Sequence, residues 1–325
     1  MNADKIKRGL ILSIDDIKFI SIYTVLSFMN IEPHKIHIVG DTHNVISLKN
    51  ILSKFNNIIS LGDIGAAVSK DIFFNNDLAR YRAAWKFYSK KAPFVNQTDL
   101  DWFKKINVDS WQEQIDNIKI SGKEFTLIMG NSDLAMIDFF SECKVSLMNG
   151  LNQKFKFVNS PEIRNINNIQ LLLLPFQKEA HDIHSLVKRI DKSKKLFVLT
   201  HCPAFENARK EYYVHLYTTI KHLSEQYTGE IVFFHGHMHP SFSYTYSWKN
   251  LPNVTFYCPK AEENFNGFGI NNHVIRLDTI NGTFKLIDSI SGEDVEFTDL
   301  PESYLHNEDH WNEFDENGNN PNKRG

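Results

Sequence analysis

Polar side chains that can bind metals follow five short apolar runs of the sequence. They are Asp41 and His43 after residues 35–39, Asp63 after 57–61, Asn131 after 124–129, His201 after 195–199, and His237 and His239 after 231–234. In open α/β sheets, ligands and catalytic groups lie beyond the carboxyl ends of the strands. The pattern therefore predicts that these side chains form one site.

The side chains of this set offer carboxylate, amide and imidazole groups. Such a mixture of oxygen and nitrogen donors suits manganese, iron, zinc or cobalt better than magnesium alone or a thiolate-bound ion. A carboxylate such as Asp63 can bridge two ions about 3.5–4 Å apart, where a bound hydroxide can attack phosphorus. Glycine precedes Asp41, Asp63, Asn131 and His237 and lets the backbone turn closely into the site. The number of ligands matches two ions rather than one.

The elements that must position these residues alternate short strands with helical patterns. Helical periodicity covers residues 182–192 and 211–226, and the chain is β-rich from about residue 253. Ser13, with Asp16 three residues later, forms a capping box that predicts a helix running towards Asn30, within an N-terminal helical extension over residues 1–35. Residues 36–300 are expected to form the domain that carries the site. Residues 301–325 are Asn-rich and acidic, which predicts a mobile tail.

Residues 66–122 do not follow the pattern of short strands that end in ligand residues. They show helical patterns rich in aromatic and basic side chains. One interpretation is a helical hairpin whose rings form a hydrophobic core. The other is a cap over the site, in which rings stack on a base or lipid-like group and cations meet phosphate. The sequence leaves both interpretations open.

Charge and cysteine content exclude several classes of protein. A formal net charge of -3 at pH 7 gives no basic field, so a nucleic acid would have to be held by the site and its metals. The 3 cysteines are widely spaced, which argues against a disulfide scaffold and against structural zinc. No signal-peptide pattern is present, and charged residues interrupt the apolar stretch 10–31, which argues against a membrane span. A cytoplasmic protein is expected.

The motifs D-x-H, G-D, G-N, a single His after an apolar strand, and G-H-x-H occur in this order over residues 36–240. In this order they resemble the motifs of calcineurin-like metallophosphoesterases. The resemblance implies an α/β fold, a four-layer αββα sandwich of two mixed β-sheets flanked by helices, with residues 66–122 as a helical insertion. It also implies an enzyme, a metal-dependent phosphoric ester hydrolase in which a metal-bridging hydroxide attacks in line.

The resemblance assigns the ligands to two divalent transition-metal ions. It implies a first ion bound by Asp41, His43 and His239, a second ion bound by Asn131, His201 and His237, and Asp63 as the bridge. Manganese is the first expectation, with iron, zinc, cobalt and nickel as alternatives. No organic cofactor is expected.

One departure from the family pattern concerns the proton donor. The family motif G-N-H-[D/E] is G-N-S-D at residues 130–133, so Ser132 stands where a histidine protonates the leaving group. A serine hydroxyl is a poor general acid. Phosphodiesterases of the family tolerate other residues here, which favours diester or pyrophosphate substrates over monoesters. Asn131, Ser132 and Asp133 are the expected catalytic residues, and His181 or His184 could replace the missing acid.

Three functions remain open on this pattern. The first is a phosphodiesterase or pyrophosphate-cleaving hydrolase acting on a small molecule or nucleotide. The second is a DNA or RNA nuclease, because residues 173–175, 199–201 and 236–239 resemble the nuclease subunit of double-strand-break repair complexes. The third is a non-catalytic scaffold of the same fold that binds protein partners. Metal content separates the scaffold from the enzymes, and salt-sensitive DNA binding separates the nuclease from the esterase.

Overall fold

A computed structural model describes residues 34–42, 45–64, 77–91, 95–177, 183–206, 211–238, 242–261 and 272–300. The predicted N-terminal helix and the predicted tail at residues 301–325 lie outside these residues.

The described fold consists of β-strands and α-helices. The strands are β1 (Lys35–Val39), β2 (Ile58–Ser60), β3 (Phe125–Ile128), β4 (Phe155–Val158), β5 (Glu162–Ile166), β6 (Ile169–Leu174), β7 (Lys195–Thr200), β8 (Ile231–His235), β9 (Tyr244–Tyr246), β10 (Val254–Cys258), β11 (His273–Asp278), β12 (Thr283–Asp288), β13 (Asp294–Val295) and β14 (Thr298–Asp299). The helices are α1 (Val45–Lys54), α2 (Leu78–Tyr88), α3 (Gln97–Ser121), α4 (Asn131–Phe139), α5 (Ser141–Gly150), α6 (His184–Val187) and α7 (Glu211–Gln226). None of the described helices combines the length and apolar character needed to cross a bilayer.

The strands form two mixed sheets. The first has the order β13-β12-β11-β1-β2-β3-β4, and the second has the order β14-β9-β10-β8-β7-β6-β5. Strands β1 to β4 run parallel to one another, as do β6, β7, β8 and β10. The carboxyl ends of neighbouring parallel strands meet at one edge of a sheet. Both sheets therefore deliver the residues that follow their central strands to one end of the sandwich.

Side chains that point alternately to the two faces of a strand form separate hydrophobic layers on the two sides of each sheet. In β6, Leu171 and Leu173 pack between the two sheets with Ile38 of β1, whereas Leu172 faces the opposite side and packs with Ile220 of α7. A third cluster covers the outer face of the first sheet with residues of α1, α3, α4 and α5. Side chains of a strand point alternately to opposite faces, so one run of leucines contributes to two cores. The predicted four-layer α/β sandwich is confirmed.

The predicted elements match the structure closely where the hydrophobic pattern was strong. The strands predicted before the ligand residues are β1, β2, β3, β7 and β8, and the helix predicted over residues 211–226 is α7. The helix predicted over residues 182–192 was wrong in its extent, because among the described residues 183–192 only His184–Val187 is α-helical. Asp191 accepts hydrogen bonds from the backbone and the hydroxyl of Ser193, a local turn that competes with helix formation.

Within residues 66–122, which the sequence predicted to be an insertion, the described helices are α2 and α3. Asn96 caps α3 by accepting the Asp99 N–H at 2.9 Å, and Gly122 ends the helix in the left-handed conformation, with φ 60. The ring of Trp85 lies 6.2 Å from that of Phe103 and 5.5 Å from that of Phe139. Rings packed on rings are characteristic of a hydrophobic core, whereas the cap function stays a prediction.

This packing leads us to expect that Trp85→Ala lowers the free energy of unfolding by about 2–4 kcal/mol, because a partly buried indole leaves a cavity among other rings. The Michaelis constant and the metal content should stay unchanged. Chemical denaturation and steady-state kinetics measure these quantities. Ile120→Ala on α3 is the control, because Ile120 is 83% exposed and its loss should cost about 0.5 kcal/mol or less. A raised Michaelis constant with unchanged stability would instead support the cap.

Candidate metal centre

Backbone hydrogen bonds join the loops that follow the central strands. Gly236, after β8, donates its N–H to the carbonyl of His201, after β7, at 3.0 Å. Phe176, after β6 of the second sheet, donates its N–H to the carbonyl of Met129, after β3 of the first sheet, at 2.7 Å. These bonds hold the ends of both sheets together, so residues far apart in sequence share one site.

Side chains from both sheets converge there. Ligand atoms of Asp41, Asp63, His201 and His237 all lie within 4.8 Å of one another. The Nε2 atom of His201 lies 2.7 Å from Oδ1 of Asn131, 3.0 Å from Nδ1 of His237 and 3.3 Å from Oδ2 of Asp63. The structure thus brings together five of the residues that the sequence predicted as metal ligands.

Two predicted ligands and the predicted replacement acids are not described. His43, His239 and His181 lie outside the described residues, and His184 begins α6 with a side chain that is likewise outside the description. Their roles stay predictions.

The electrostatics of the cluster favour positive charge. The residues Asp41 and Asp63 are only 4% and 2% exposed, and His201 is fully buried. Burial by itself would lower the pKa of His201, but the carboxylates of Asp63 and Asp41 raise this pKa to about 9. Buried carboxylates need a compensating charge. The donor types and the burial therefore fit a divalent cation.

Comparison with protein families agrees with this site. The model of the family described as calcineurin-like phosphoesterase matches residues 34–241, which is more than half of the chain. The chain belongs to the calcineurin-like phosphoesterase family. Members of this family are metal-dependent hydrolases of phosphate esters, so the protein is an enzyme of that class.

The solved structures that resemble this chain share little sequence identity with it. A protein described as a novel archaeal phosphodiesterase shares 14% identity, with 78% of this chain and 99% of that chain covered and a TM-score of 0.32. The protein TT1561 of Thermus thermophilus shares 9% identity, with 79% and 99% covered and a TM-score of 0.42. None of the curated proteins compared with the sequence matches it.

Backbone groups hold the carboxylates of this calcineurin-like site. The His237 N–H lies 3.0 and 3.1 Å from the two oxygens of Asp41. The Oδ2 atom of Asp133, which is fully buried, accepts the N–H groups of Asp63 at 2.8 Å and Gly130 at 3.0 Å. Asp133, predicted as catalytic, therefore anchors the backbone on which Asp63 and α4 depend.

Two ligand candidates have strained backbones. Asp63 has φ 52 and His237 has φ 69, in the left-handed region that costs a non-glycine residue about 1–3 kcal/mol. Such conformations persist only where surrounding contacts enforce them, and they cluster at functional sites. The hydrogen bonds from Asp63 to Asp133 and from His237 to Asp41 provide those contacts.

Three residues at the site were missed by the sequence analysis. The thiol of Cys202 lies within 4.8 Å of ligand atoms of His201 and His237 and adds a sulfur atom to the surroundings. The rings of Tyr212 and Tyr213 lie 6.4 and 5.9 Å from that of His237, and burial raises the pKa of both tyrosines above the usual value. The only sequence signals were the adjacency of Cys202 to His201 and the position of the tyrosines at the start of a predicted helix.

The close approach of Gly130 to Asp63 generates a prediction. A Cβ atom on Gly130 would lie 2.1 Å from Oδ1 of Asp63, so Gly130→Ala must displace that carboxylate. We expect this variant to bind Mn²⁺ at least about tenfold more weakly in titration calorimetry. Gly122→Ala is the control, because a Cβ there meets nothing within 4 Å, although its φ of 60 should cost about 1 kcal/mol of stability. Unchanged Mn²⁺ affinity in Gly130→Ala would contradict the placement of Asp63 in the metal site.

Proposed function

We propose that this enzyme is a phosphodiesterase or pyrophosphate-cleaving hydrolase that uses two divalent transition-metal ions, with manganese as the first choice. The observation that carries the proposal is the convergence of carboxylate, amide and imidazole donors around His201. When bound, ions held by such donors acidify water and neutralise charge on phosphate oxygens.

The proposed ligand sets follow from the family pattern and the observed neighbours. Asp41, with His43 and His239, would hold the first ion, and Asn131, His201 and His237 would hold the second, with Asp63 between them. The contacts of His201 support its grouping with Asn131 and His237, because its Nε2 atom lies 2.7 Å from Oδ1 of Asn131 and 3.0 Å from Nδ1 of His237.

The proposed preference for diesters or pyrophosphates rests on the low acidity and the hydrogen bond of the Ser132 hydroxyl. Its hydroxyl donates to Oδ2 of Asp63 at 3.0 Å, and it lacks the acidity to protonate a departing alkoxide. A phosphate leaving group or an aryl alcohol needs little protonation, whereas an unactivated alkoxide needs much more. The enzyme is therefore expected to favour substrates with acidic leaving groups.

The bridging role of Asp63 is tested by metal content. We expect wild-type protein to bind up to two ions per chain, Asp41→Asn to keep about one, and Asp63→Asn to lose most of both, because a bridge serves both ions. Mass spectrometry of metals after dialysis against Mn²⁺ measures this. Asp138→Asn is the control, since Asp138 lies exposed on the same helix as Asn131. Full occupancy in Asp63→Asn would contradict the bridge, and a wild type without metal or hydrolysis would support the scaffold.

The leaving-group preference is tested by kinetics at saturating Mn²⁺. We expect kcat for an activated aryl diester to exceed kcat for an unactivated alkyl monoester by at least about 100-fold, since a missing general acid commonly costs this much. Ser132→His should improve the alkyl substrate more than the aryl substrate. Similar wild-type kcat values for both substrates would mean that another group already protonates the leaving group.

A further inference from the structure

Ser132 contacts both oxygens of the Asp63 carboxylate. Its backbone N–H donates to Oδ1 at 2.8 Å, and its hydroxyl donates to Oδ2 at 3.0 Å. Ser132 is itself buried, with 7% of its surface exposed. One residue therefore fixes the rotation of the carboxylate plane through two separate hydrogen bonds.

The position of Ser132 in α4 makes this geometry available. Ser132 lies in the first turn of the helix, where backbone N–H groups have no partner within the helix and can bind an anion. Its short side chain places the hydroxyl beside its own N–H. A histidine here would keep the N–H donor but would carry its ring nitrogens farther from the backbone than the serine oxygen.

The hydrogen bonds from Ser132 are compatible with metal binding by the Asp63 carboxylate. Each carboxylate oxygen has two lone pairs, so an oxygen that accepts one hydrogen bond can still bind an ion. The backbone of Asp63 is already held by Asp133, but that bond does not restrict the side-chain torsions. The two donors of Ser132 restrict those torsions, and the Nε2 atom of His201 lies 3.3 Å from Oδ2 of the same carboxylate.

We propose that Ser132 is a positioning residue that orients the Asp63 carboxylate toward the metal ions, instead of acting as a proton donor to the leaving group. The inference rests on the proposed function only in taking Asp63 as a metal ligand. Partners that orient a metal ligand typically contribute 10–100-fold to metal affinity, so a measurable effect of about this size is expected.

The test is Mn²⁺ titration calorimetry on the full chain. We expect Ser132→Ala to weaken Mn²⁺ binding about 10–100-fold, because it keeps the N–H donor and loses the hydroxyl. Ser132→Thr, which restores the hydroxyl, should bring affinity back to within about threefold of wild type. Ser132→Cys, which has a similar shape and only a weak S–H donor, should also bind Mn²⁺ more weakly and serves if the alanine variant does not fold.

The control is Ser146→Ala on α5. Ser146 is also buried, at 8% exposure, and its hydroxyl has no hydrogen-bond partner among the described residues, so removing it should leave Mn²⁺ affinity unchanged. A second readout is kcat at saturating Mn²⁺, where a positioning role predicts that Ser132→Ala affects aryl and alkyl substrates in equal proportion.

Two results would overturn the inference while leaving the proposed function intact. One is wild-type Mn²⁺ affinity in both Ser132→Ala and Ser132→Cys. The other is a selective loss of kcat on poor leaving groups at unchanged Mn²⁺ affinity, which would make Ser132 the proton donor. A wild-type protein that binds no Mn²⁺ would instead overturn the proposed function and this inference together.

Discussion

Burial of carboxylates at the end of the sandwich is the constraint on which the site depends. Asp41, Asp63 and Asp133 are at most 4% exposed, and a buried anion is costly unless it is hydrogen-bonded and paired with positive charge. Each of the three accepts backbone N–H groups, and a donor to Asp41 is His237, itself a ligand candidate. The network thus anchors the backbones of Asp63 and His237, two of the candidate metal ligands.

Satisfying these carboxylates requires loops to approach one another unusually closely. A Cβ atom on Gly62 would lie 2.8 Å from both the backbone of Gly130 and the ring of His201, so a side chain at position 62 would separate three loops. Gly62 also has φ 116, which L residues rarely adopt. The absence of a side chain at Gly62 therefore allows the loops after the strands to pack closely together. The neighbouring Asp63 also adopts a left-handed conformation in this loop.

The replacement of histidine by serine at position 132 connects this network to the chemistry. A histidine can protonate a leaving group, whereas the serine hydroxyl here donates to Asp63. Under the proposed function, catalysis at such a site depends on charge stabilisation by bound metal more than on acid catalysis. Tyr212 and Tyr213, which pack beside His237 and keep their protons because burial raises their pKa, make this part of the site less polar.

The sequence alone was sufficient to predict the family, the layered fold and the dependence of the enzyme on metal. Short apolar runs predicted β1, β2, β3, β7 and β8 to within one residue at either end, because burial imposes a hydrophobic pattern that is visible along the chain. The polar residues after each run predicted Asp41, Asp63 and His201 as neighbours, because parallel strands end at a common edge. His43 and His239 stay predictions of the same kind.

Only the tertiary structure decided the direction of individual side chains. That Ser132 faces Asp63, that Asp133 accepts backbone N–H groups and that Cys202 lies beside His237 depend on loops contributed by distant parts of the chain. The hydrophobic pattern of a sequence indicates which face of a helix or strand is buried, but it does not indicate which atoms of distant residues that face contacts. The hydrogen bonds at the site join loops that are far apart in sequence, so their donors and acceptors can be assigned only from the assembled sheets.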